Sequence, residues 1–162
     1  NTLTGGRIKR IKEYVGNETF MMTYGDAVCD VEIDKLVAFH QSHGKIATLT
    51  AVIQAQDKGV LNIDENNSIR SFREKNLTDG VPINAGYMVL EPKVFDYIEG
   101  DQTIFEKGPL NQLAAEGELM SYKHRGFWQC MDNIREKNLL AQLLLDDVAP
   151  WKKWEREIPV IK

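Results

Sequence analysis

The sequence is poor in the residues that define several specialised protein classes. It has only two cysteines, Cys29 and Cys130, in 162 residues. These are too few for a disulfide-stapled scaffold, and they do not form the CxxC pair typical of a zinc site. Its 20 basic residues are outnumbered by 24 acidic ones, which gives a net charge of −4. This balance disfavours a protein that coats nucleic acid, and we expect no nucleic-acid partner.

Long hydrophobic runs are absent as well. No run approaches the ~20 apolar residues that span a bilayer, and the first residues lack the hydrophobic core of a signal peptide. We therefore expect a cytoplasmic protein with no membrane partner. The hydrophobic fraction of 43% and the length both suit one globular domain over residues 1–162. The first residue is Asn1 and not Met, so this length bounds the polypeptide and not necessarily its parent protein.

Helical and strand-like segments alternate along the first third of the chain. Ile8, Ile11 and Val15 recur at helical spacing and predict one buried helix face. The apolar run 20–24 and the β-prone run 47–53 are typical of buried strands. This alternation predicts an α/β layer fold with parallel pairing.

A second helix separates these strands and ends at Gly44, with His40 and His43 three residues apart on it. No further metal ligand lies nearby in the sequence, so we interpret both histidines as surface or half-buried residues.

The second half of the chain predicts a hairpin, a strand and a helix. Two alternating segments flank the polar cluster 64–67 and favour a hairpin, and residues 83–90 read as a further strand. Residues 133–145 predict a helix. The core candidates on this helix are Ile134, Leu140, Leu143 and Leu144.

Two aspartates follow predicted element ends, and each has two interpretations. Tyr24-Gly25-Asp26 ends a buried strand, where open α/β sheets bind ligands and a carboxylate can hold Mg²⁺; a simple Gly-Asp turn is the alternative. Asp132 or Asn133 can be a helix N-cap, or Asp132 can converge with Asp26 on one metal ion. Cys29 and Cys130 lie beside these motifs, so we expect them to be neighbours in space.

Two further motifs suggest a phosphate-binding site. Lys75, after Glu74, can meet a phosphate as a point charge, or it can be a solvated residue at the end of a strand. Asn84-Ala85-Gly86 interrupts a strand pattern, which indicates a bulge, a close ligand approach or only sheet packing.

Taken together and in order, these motifs resemble the sugar-phosphate nucleotidyltransferase family. One such motif would be a weak signal, but they cover almost the whole chain. The segments that carry the resemblance are TGGRIKR (4–10), TYGD (23–26), ATLTAV (47–52), SFREK (71–75), INAG (83–86), LEPKV (90–94), LAAEG (113–117), GFWQ (126–129), MD (131–132) and APWK (149–152).

The resemblance implies a Rossmann-like fold, a mixed and mostly parallel sheet with flanking helices, and an oligomeric enzyme. The motifs are similar to those of members that join CTP and glucose 1-phosphate into CDP-glucose and pyrophosphate. That product supplies the dideoxysugars of bacterial surface polysaccharide.

The resemblance also implies roles for single residues. Asp26 and Asp132 would hold Mg²⁺, Lys75 would contact the sugar phosphate, and Glu74 would contact the sugar hydroxyls. The remaining binding residues by resemblance are Tyr24, Gly25, Asn84 and Gly86 in the same pocket, with Thr4 and Gly5 near the nucleotide.

One part of the family pattern has no counterpart in these residues. The Gly-rich loop and the Lys-Pro segment that cradle the triphosphate are not found, so the chain matches the N-terminally truncated pattern of the family. We expect the 162-residue polypeptide to lack transferase activity by itself. Two alternatives are a remnant that binds a sugar phosphate and an oligomeric interaction module. The loss of the neighbouring strands predicts an open sheet edge beside Tyr24, which favours a homo-oligomer.

Overall fold

A computed structural model describes residues 1–54, 60–73 and 80–153 and confirms an α/β fold. No helix of these residues combines the length and apolar character needed to cross a membrane. The elements in chain order are α1 (Thr4–Arg10), α2 (Lys12–Val15), β1 (Phe20–Thr23), β2 (Ala27–Cys29), α3 (Ile33–His43), β3 (Ala47–Gln54), β4 (Val60–Ile63), β5 (Ile69–Arg73), β6 (Val81–Leu90), a 3₁₀ helix (Pro92–Tyr97), α4 (Pro109–Ala115), β7 (Leu119–His124), β8 (Trp128–Cys130) and α5 (Ile134–Leu145).

The main sheet is mixed, with four strands in the order β1-β6-β3-β7. Strand β6 runs antiparallel to both β1 and β3, whereas β3 and β7 are parallel. The predicted mixed sheet is confirmed: three of the four strands point the same way, although only one of the three pairings between neighbours is parallel. Strands β1 and β3 do not pair with each other, because β6 lies between them. Two short antiparallel ribbons, β2–β8 and β4–β5, accompany the sheet, and the second is the predicted hairpin.

The second half of strand β6 is buried on both faces and divides the core in two. Met88 and Leu90 belong to the larger hydrophobic cluster, which contains α1, the 3₁₀ helix and α4 residues. Val89, which lies between them, belongs to a second cluster with Leu36 of α3. This alternation follows from the two-residue period of a strand, and it places helices on both faces of the sheet.

The predicted helices are found at the expected positions, but several side chains predicted to be buried are exposed. Gly44 ends α3 with a positive φ of 63°, as a C-terminal glycine should. The predicted first helix is broken at Ile11, whose side chain is 40% exposed. In α5, Leu140 is buried, but Ile134 and Leu144 are exposed, so these two core assignments are wrong. Helical periodicity shows which side chains share a face, but not whether another element covers that face.

A chain of polar groups crosses the buried interface between α3 and the sheet. His40 is only 2% exposed, so the expectation of a surface or half-buried side chain is wrong for this residue. Its Nδ1 lies 2.8 Å from Thr48 Oγ1 and its Nε2 lies 2.9 Å from Glu91 Oε1. His43 Nε2 lies 2.8 Å from the same Thr48 oxygen, and the Lys45 backbone N–H donates to His43 Nδ1.

With both imidazole rings neutral, these contacts allow one direction of donation. The Lys45 N–H donates to His43, which leaves the His43 Nε2 proton for Thr48 Oγ1. The Thr48 hydroxyl then donates to His40 Nδ1, and His40 Nε2 donates to Glu91. Burial is the main cause that lowers the pKa of His43, and the Lys45 ammonium adds to it, which favours the neutral form of His43. The Thr48 hydroxyl therefore links the two histidines, because it accepts from one ring and donates to the other.

Replacing Thr48 by Val should destabilise the fold, because it leaves two buried ring nitrogens without their shared partner. We expect a loss of about 1–3 kcal/mol in the free energy of unfolding, measured by urea denaturation. Thr50→Val is the matched control. Thr50 lies on the same strand, is equally buried, and its Oγ1 has no hydrogen-bond partner among the described residues. That control should be neutral or stabilising, and equal losses in both variants would contradict the role of Thr48.

Candidate functional site

The short β2–β8 ribbon brings the two predicted metal ligands to one place. Ala27 pairs with Cys130, and beyond that pair the Met131 N–H donates to the Asp26 carbonyl at 2.7 Å. Asp26 and Asp132 therefore leave the ribbon at the same end, and both are exposed. No cation in the described part of the chain forms an ion pair with either carboxylate. The end of the ribbon thus presents two carboxylates that have no cationic partner among the described residues.

The cap of α5 is built by Asn133 and not by Asp132. The Glu136 N–H donates to Asn133 Oδ1 at 3.0 Å, and the Asp132 N–H donates to Glu136 Oε2 at 2.7 Å. This arrangement resembles a capping box, except that the glutamate accepts from the residue before the N-cap and not from the N-cap itself. Asp132 contributes its backbone to the cap, so its carboxylate is not used there.

The two cysteines lie on neighbouring strands, as expected. Cys130 is opposite Ala27 and Cys29 is opposite Trp128, so both thiols are on the same face of the ribbon in a diagonal relation. Both are free thiols. Burial raises the pKa of each to about 11, and the charges of Asp132 and Glu136 add to this effect at Cys130. Both thiols are therefore protonated near neutral pH.

Tyr24 is held against a bulge of strand β6. The register of β3 and β6 shifts between Leu49 and Ala51, and Gly86 in this segment has a φ of +79°. The Tyr24 N–H donates to the Gly86 carbonyl, and the Gly86 N–H donates to Asn84 Oδ1 at 2.8 Å. Of the interpretations of residues 84–86, the structure shows the bulge.

The Tyr24 ring fixes the identity of residue 86. A Cβ added at Gly86 would lie 2.8 Å from the Tyr24 ring, so a side chain there would displace the ring. On the other side of the bulge, the Trp128 indole donates to the Ala85 carbonyl at 2.8 Å. The bulge thus joins β1, β6 and β8 around one short segment, and Trp128 is a contributor that the sequence motifs did not single out for a role.

Glu106 links Tyr24 to Thr4 and was not predicted as a site residue. Its carboxylate accepts hydrogen bonds from the Tyr24 hydroxyl at 2.5 Å and from the Thr4 hydroxyl at 2.8 Å. Burial alone would raise the pKa of Glu106, but the hydrogen bonds from Tyr24 and Thr4 outweigh it and lower this pKa. Burial, followed by the contact with Glu106, raises the pKa of Tyr24. An isolated glutamate between helices carries no sequence signal that would have revealed this contact.

Thr4 and Gly5 anchor the start of α1 to the loop before α4. The Thr4 hydroxyl accepts from the Phe105 N–H at 2.9 Å, and the Gly5 N–H donates to the Thr103 carbonyl at 2.9 Å. A Cβ on Gly5 would lie 2.8 Å from that carbonyl oxygen, so the close approach at Gly5 is to the protein backbone.

The remaining predicted site residues differ in how far they are defined. Gly25 is exposed, and open space surrounds the position that a Cβ would occupy there. Glu74 and Lys75 lie outside the described residues.

Replacing Gly86 by Ala should disturb the position of Tyr24 as well as the backbone. Gly117→Ala is the matched control, because Gly117 also has a positive φ of 70° but a Cβ added there would meet no atom within 4 Å. Both variants should lose about 1–2 kcal/mol from the backbone conformation. Gly86→Ala should lose more, and its near-ultraviolet tyrosine circular dichroism should change. Equal unfolding energies and unchanged spectra would contradict the contact between Gly86 and Tyr24.

Comparison with known proteins supports the family that the motifs suggest. Residues 4–132 match the model of the family described as nucleotidyl transferase. The chain is 48% identical over 156 residues to glucose-1-phosphate cytidylyltransferase of Salmonella typhi, covering 96% of this chain and 60% of that protein. It is 35% identical over 132 residues to the mannose-1-phosphate guanylyltransferase catalytic subunit beta of Drosophila melanogaster, covering 80% of this chain and 35% of that protein.

A solved structure shares the fold. The crystal structure of HddC from Yersinia pseudotuberculosis superposes with a TM-score of 0.60 at 19% identity, covering 88% of this chain and 63% of that chain. The chain thus spans about 60% of the length of the cytidylyltransferase relative that it matches. The family match, which extends from Thr4 to Asp132, includes both ends of the site built around the ribbon and the bulge. The chain therefore belongs to the nucleotidyl transferase family.

Proposed function

We propose that this chain is part of an enzyme that joins CTP and glucose 1-phosphate into CDP-glucose and pyrophosphate. The observation that carries the proposal is the meeting of Asp26 and Asp132 at one end of the β2–β8 ribbon. The similarity to glucose-1-phosphate cytidylyltransferase over nearly the whole chain supports the choice of nucleotide and sugar. The proposed product would enter the synthesis of bacterial surface polysaccharide.

Asp26 and Asp132 are the proposed ligands of Mg²⁺. Carboxylate oxygens are the donors that Mg²⁺ prefers, and this cation keeps several waters, so exposed carboxylates suit it. Neither carboxylate has a cationic partner among the described residues, so both negative charges are available to bind a metal ion. When bound, Mg²⁺ would neutralise negative charge on the phosphates.

The segment around the β6 bulge is the proposed sugar side of the pocket. Asn84 uses its Oδ1 to hold the Gly86 N–H and its side chain also hydrogen-bonds to the Tyr24 hydroxyl, so one N–H of its amide would remain as the donor for a hydroxyl or phosphate oxygen. Tyr24 uses its hydroxyl on Glu106, so its contribution to the pocket would be the wall formed by its ring. Gly25 leaves open space beside this ring. Lys75 and Glu74 would contact the sugar phosphate and the sugar hydroxyls.

The reaction asks little covalent chemistry of the protein. An oxygen of the sugar phosphate attacks the α-phosphorus of CTP in line, and the bond from that phosphorus to the bridging oxygen breaks to release pyrophosphate. The physical demands are alignment of the two substrates and stabilisation of charge. In this proposal the rigid bulge aligns the sugar, and Thr4 and Gly5 lie toward the nucleotide.

We propose further that the 162-residue polypeptide does not catalyse this reaction by itself. A triphosphate needs several cations or backbone N–H groups, and the motifs that supply them in the family are not among these residues. The sugar-phosphate half of the site is the better represented half, so binding of glucose 1-phosphate without turnover is the alternative function.

The activity prediction can be tested with CTP, glucose 1-phosphate and Mg²⁺ in a pyrophosphate-release assay. We expect the rate with the 162-residue polypeptide to equal that of its Asp26→Ala variant. Turnover well above that control would contradict the proposed lack of activity. It would also support Asp26 as a metal ligand, since only the original carboxylate would then sustain the reaction.

Binding of glucose 1-phosphate is tested separately by calorimetry. Asn84→Ala should weaken any measured binding, because it removes the proposed donor as well as the acceptor that holds Gly86. The matched control is Asn111→Ala, which removes an amide that is bonded to the Lys107 carbonyl, far along the chain from the bulge. No heat up to millimolar glucose 1-phosphate would count against the binding function.

A homo-oligomer is the second part of the proposal, supported by the open side of the sheet. Strand β1 is at the edge of the main sheet, and Met21 on it is 58% exposed. Unpaired strand edges and exposed apolar side chains both favour association.

We expect light scattering at micromolar concentration to give the mass of a dimer that Met21→Lys converts to a monomer. Ile69→Lys is the control, because Ile69 is 59% exposed but lies on the β4–β5 hairpin. A monomeric mass for the unmodified chain would contradict the proposed dimer. A dimer that Met21→Lys leaves intact would exclude the β1 edge as its interface.

A further inference from the structure

A cysteine, an aspartate and a histidine converge at the other end of the β2–β8 ribbon. The Cys29 thiol, the Asp30 carboxylate and a His124 ring nitrogen each offer one donor atom, and these atoms all lie within 4.8 Å of one another. All three side chains are partly buried. His124 Nε2 lies 2.8 Å from Asp30 Oδ1, and no role in the proposed transferase site uses any of the three.

The backbone holds these donors in place from two directions. Cys29 ends β2 and His124 ends β7, so the cluster joins the ribbon to the main sheet. The Asp30 N–H donates to the Phe127 carbonyl at 3.1 Å, which fixes the segment beyond β2 against the loop beyond β7.

A glycine keeps the space beside the donors clear. A Cβ at Gly126 would collide with the Asp30 carboxylate and would lie 2.9 Å from His124 Nε2. The loop can therefore approach the two donors closely only because residue 126 has no side chain.

The mixture of donors points to a particular kind of ion. Thiolate, imidazole and carboxylate together are the ligands of Zn²⁺ and of its usual substitute Co²⁺, whereas Mg²⁺ prefers oxygen alone. Three protein ligands leave one position of a tetrahedral site for water. We propose that Cys29, Asp30 and His124 form a binding site for a zinc-type transition metal, separate from the carboxylates of Asp26 and Asp132.

Metal binding replaces protons on the ligand atoms by bonds to the ion. The Cys29 S–H bond breaks, the sulfur keeps the electron pair and bonds to the metal, and the proton goes to solvent. The Nε2 proton of His124, which faces the Asp30 carboxylate and the Phe127 carbonyl, leaves to solvent while the ring carries its one remaining proton on Nδ1, so the Nε2 lone pair becomes free to bond to the ion. The Asp30 carboxylate, released from His124, then turns to the ion as well. No oxidant or reductant takes part.

A second group of donors is less suited to the same ion. Cys130, Asp132 and Glu136 also lie within 4.8 Å of one another, but this group has no imidazole and Asp132 is exposed. Glu136 Oε2 is already the acceptor for the Asp132 N–H in the cap of α5. The two clusters can be distinguished as the binding site of the ion, because each contains one of the two cysteines.

The position of the first cluster gives the metal a structural effect. An ion there would tie the end of β7 to the end of β2, which joins the main sheet to the ribbon. Asp26 is four residues before Asp30 along the extended ribbon, about 13 Å away at the usual strand rise. The ion would therefore hold the ribbon from the end opposite the carboxylates, without contact with the proposed substrates.

Cobalt titration of the 162-residue chain tests the site. We expect the absorption of a tetrahedral Co²⁺ centre with a sulfur-to-metal charge-transfer band, displaced by Zn²⁺ and not by a large excess of Mg²⁺. Cys29→Ser should abolish the charge-transfer band, and His124→Gln should weaken Zn²⁺ affinity at least about tenfold. Cys130→Ser is the matched control and should leave both the spectrum and the affinity unchanged. Zn²⁺ should raise the thermal midpoint of the chain and of Cys130→Ser only.

Three results would overturn the proposal. One is the absence of a sulfur-to-cobalt band in the unmodified chain. Another is loss of the band in Cys130→Ser with retention in Cys29→Ser, which would assign the ion to the second cluster. The third is a His124→Gln variant whose circular dichroism shows a folded chain but whose Zn²⁺ affinity is unchanged. Because His124→Gln keeps both thiols, this last measurement holds even if Cys29→Ser fails to fold.

Discussion

Strand β6 lies inside the main sheet, where its hydrogen bonds to both neighbouring strands set the register of the fold. It pairs with β1 on one side and β3 on the other, and its second half is buried on both faces, so its register sets both core clusters. The strand cannot shift by one residue without turning Met88 and Val89 to the wrong faces. Its bulge near Gly86 is therefore fixed in place, and with it the ring of Tyr24 and the indole of Trp128. The regular part of β6 fixes the position of the bulge, and the bulge in turn positions the Tyr24 ring that forms the proposed pocket wall.

Four acidic side chains lie around the candidate site. Asp26 and Asp132 leave one end of the ribbon, Glu136 lies beside Asp132, and Glu106 stands behind Tyr24. Glu106 is half-buried and accepts hydrogen bonds from two hydroxyl donors, which lower its pKa and favour its ionised form. The exposed carboxylates of Asp26 and Asp132 have no cationic partner among the described residues, so any phosphate that approaches them requires positive charge from elsewhere. This explains physically why a metal ion and residues such as Lys75 belong to the proposed function.

The sequence predicted elements and motifs well and predicted partners less well. The strand at Phe20–Thr23, the glycine end of α3 and the Asn133 cap follow from local rules that act within a few residues. The insertion of β6 between β1 and β3 is a long-range pairing that such rules do not contain. The burial of His40 depends on Thr48 and Glu91, which lie on other elements, and the same holds for the contact of Tyr24 with Glu106. Ile134 shows the converse, since its place on a periodic face did not determine what covers it.

The hydrogen-bond chain through His43, Thr48 and His40 has a polarity, because every member passes its proton in the same direction, from the Lys45 amide to the Glu91 carboxylate. A proton added to His43 would occupy the one nitrogen that accepts from that amide. The backbone just after Gly44 would then lose its partner, and the disturbance would begin at the end of α3 and not inside the core. The two histidines thus connect the end of α3 to the Glu91 carboxylate that precedes the 3₁₀ helix. Protonation at one end of this chain therefore changes the hydrogen bonds at the other end, although the two loops are distant in sequence.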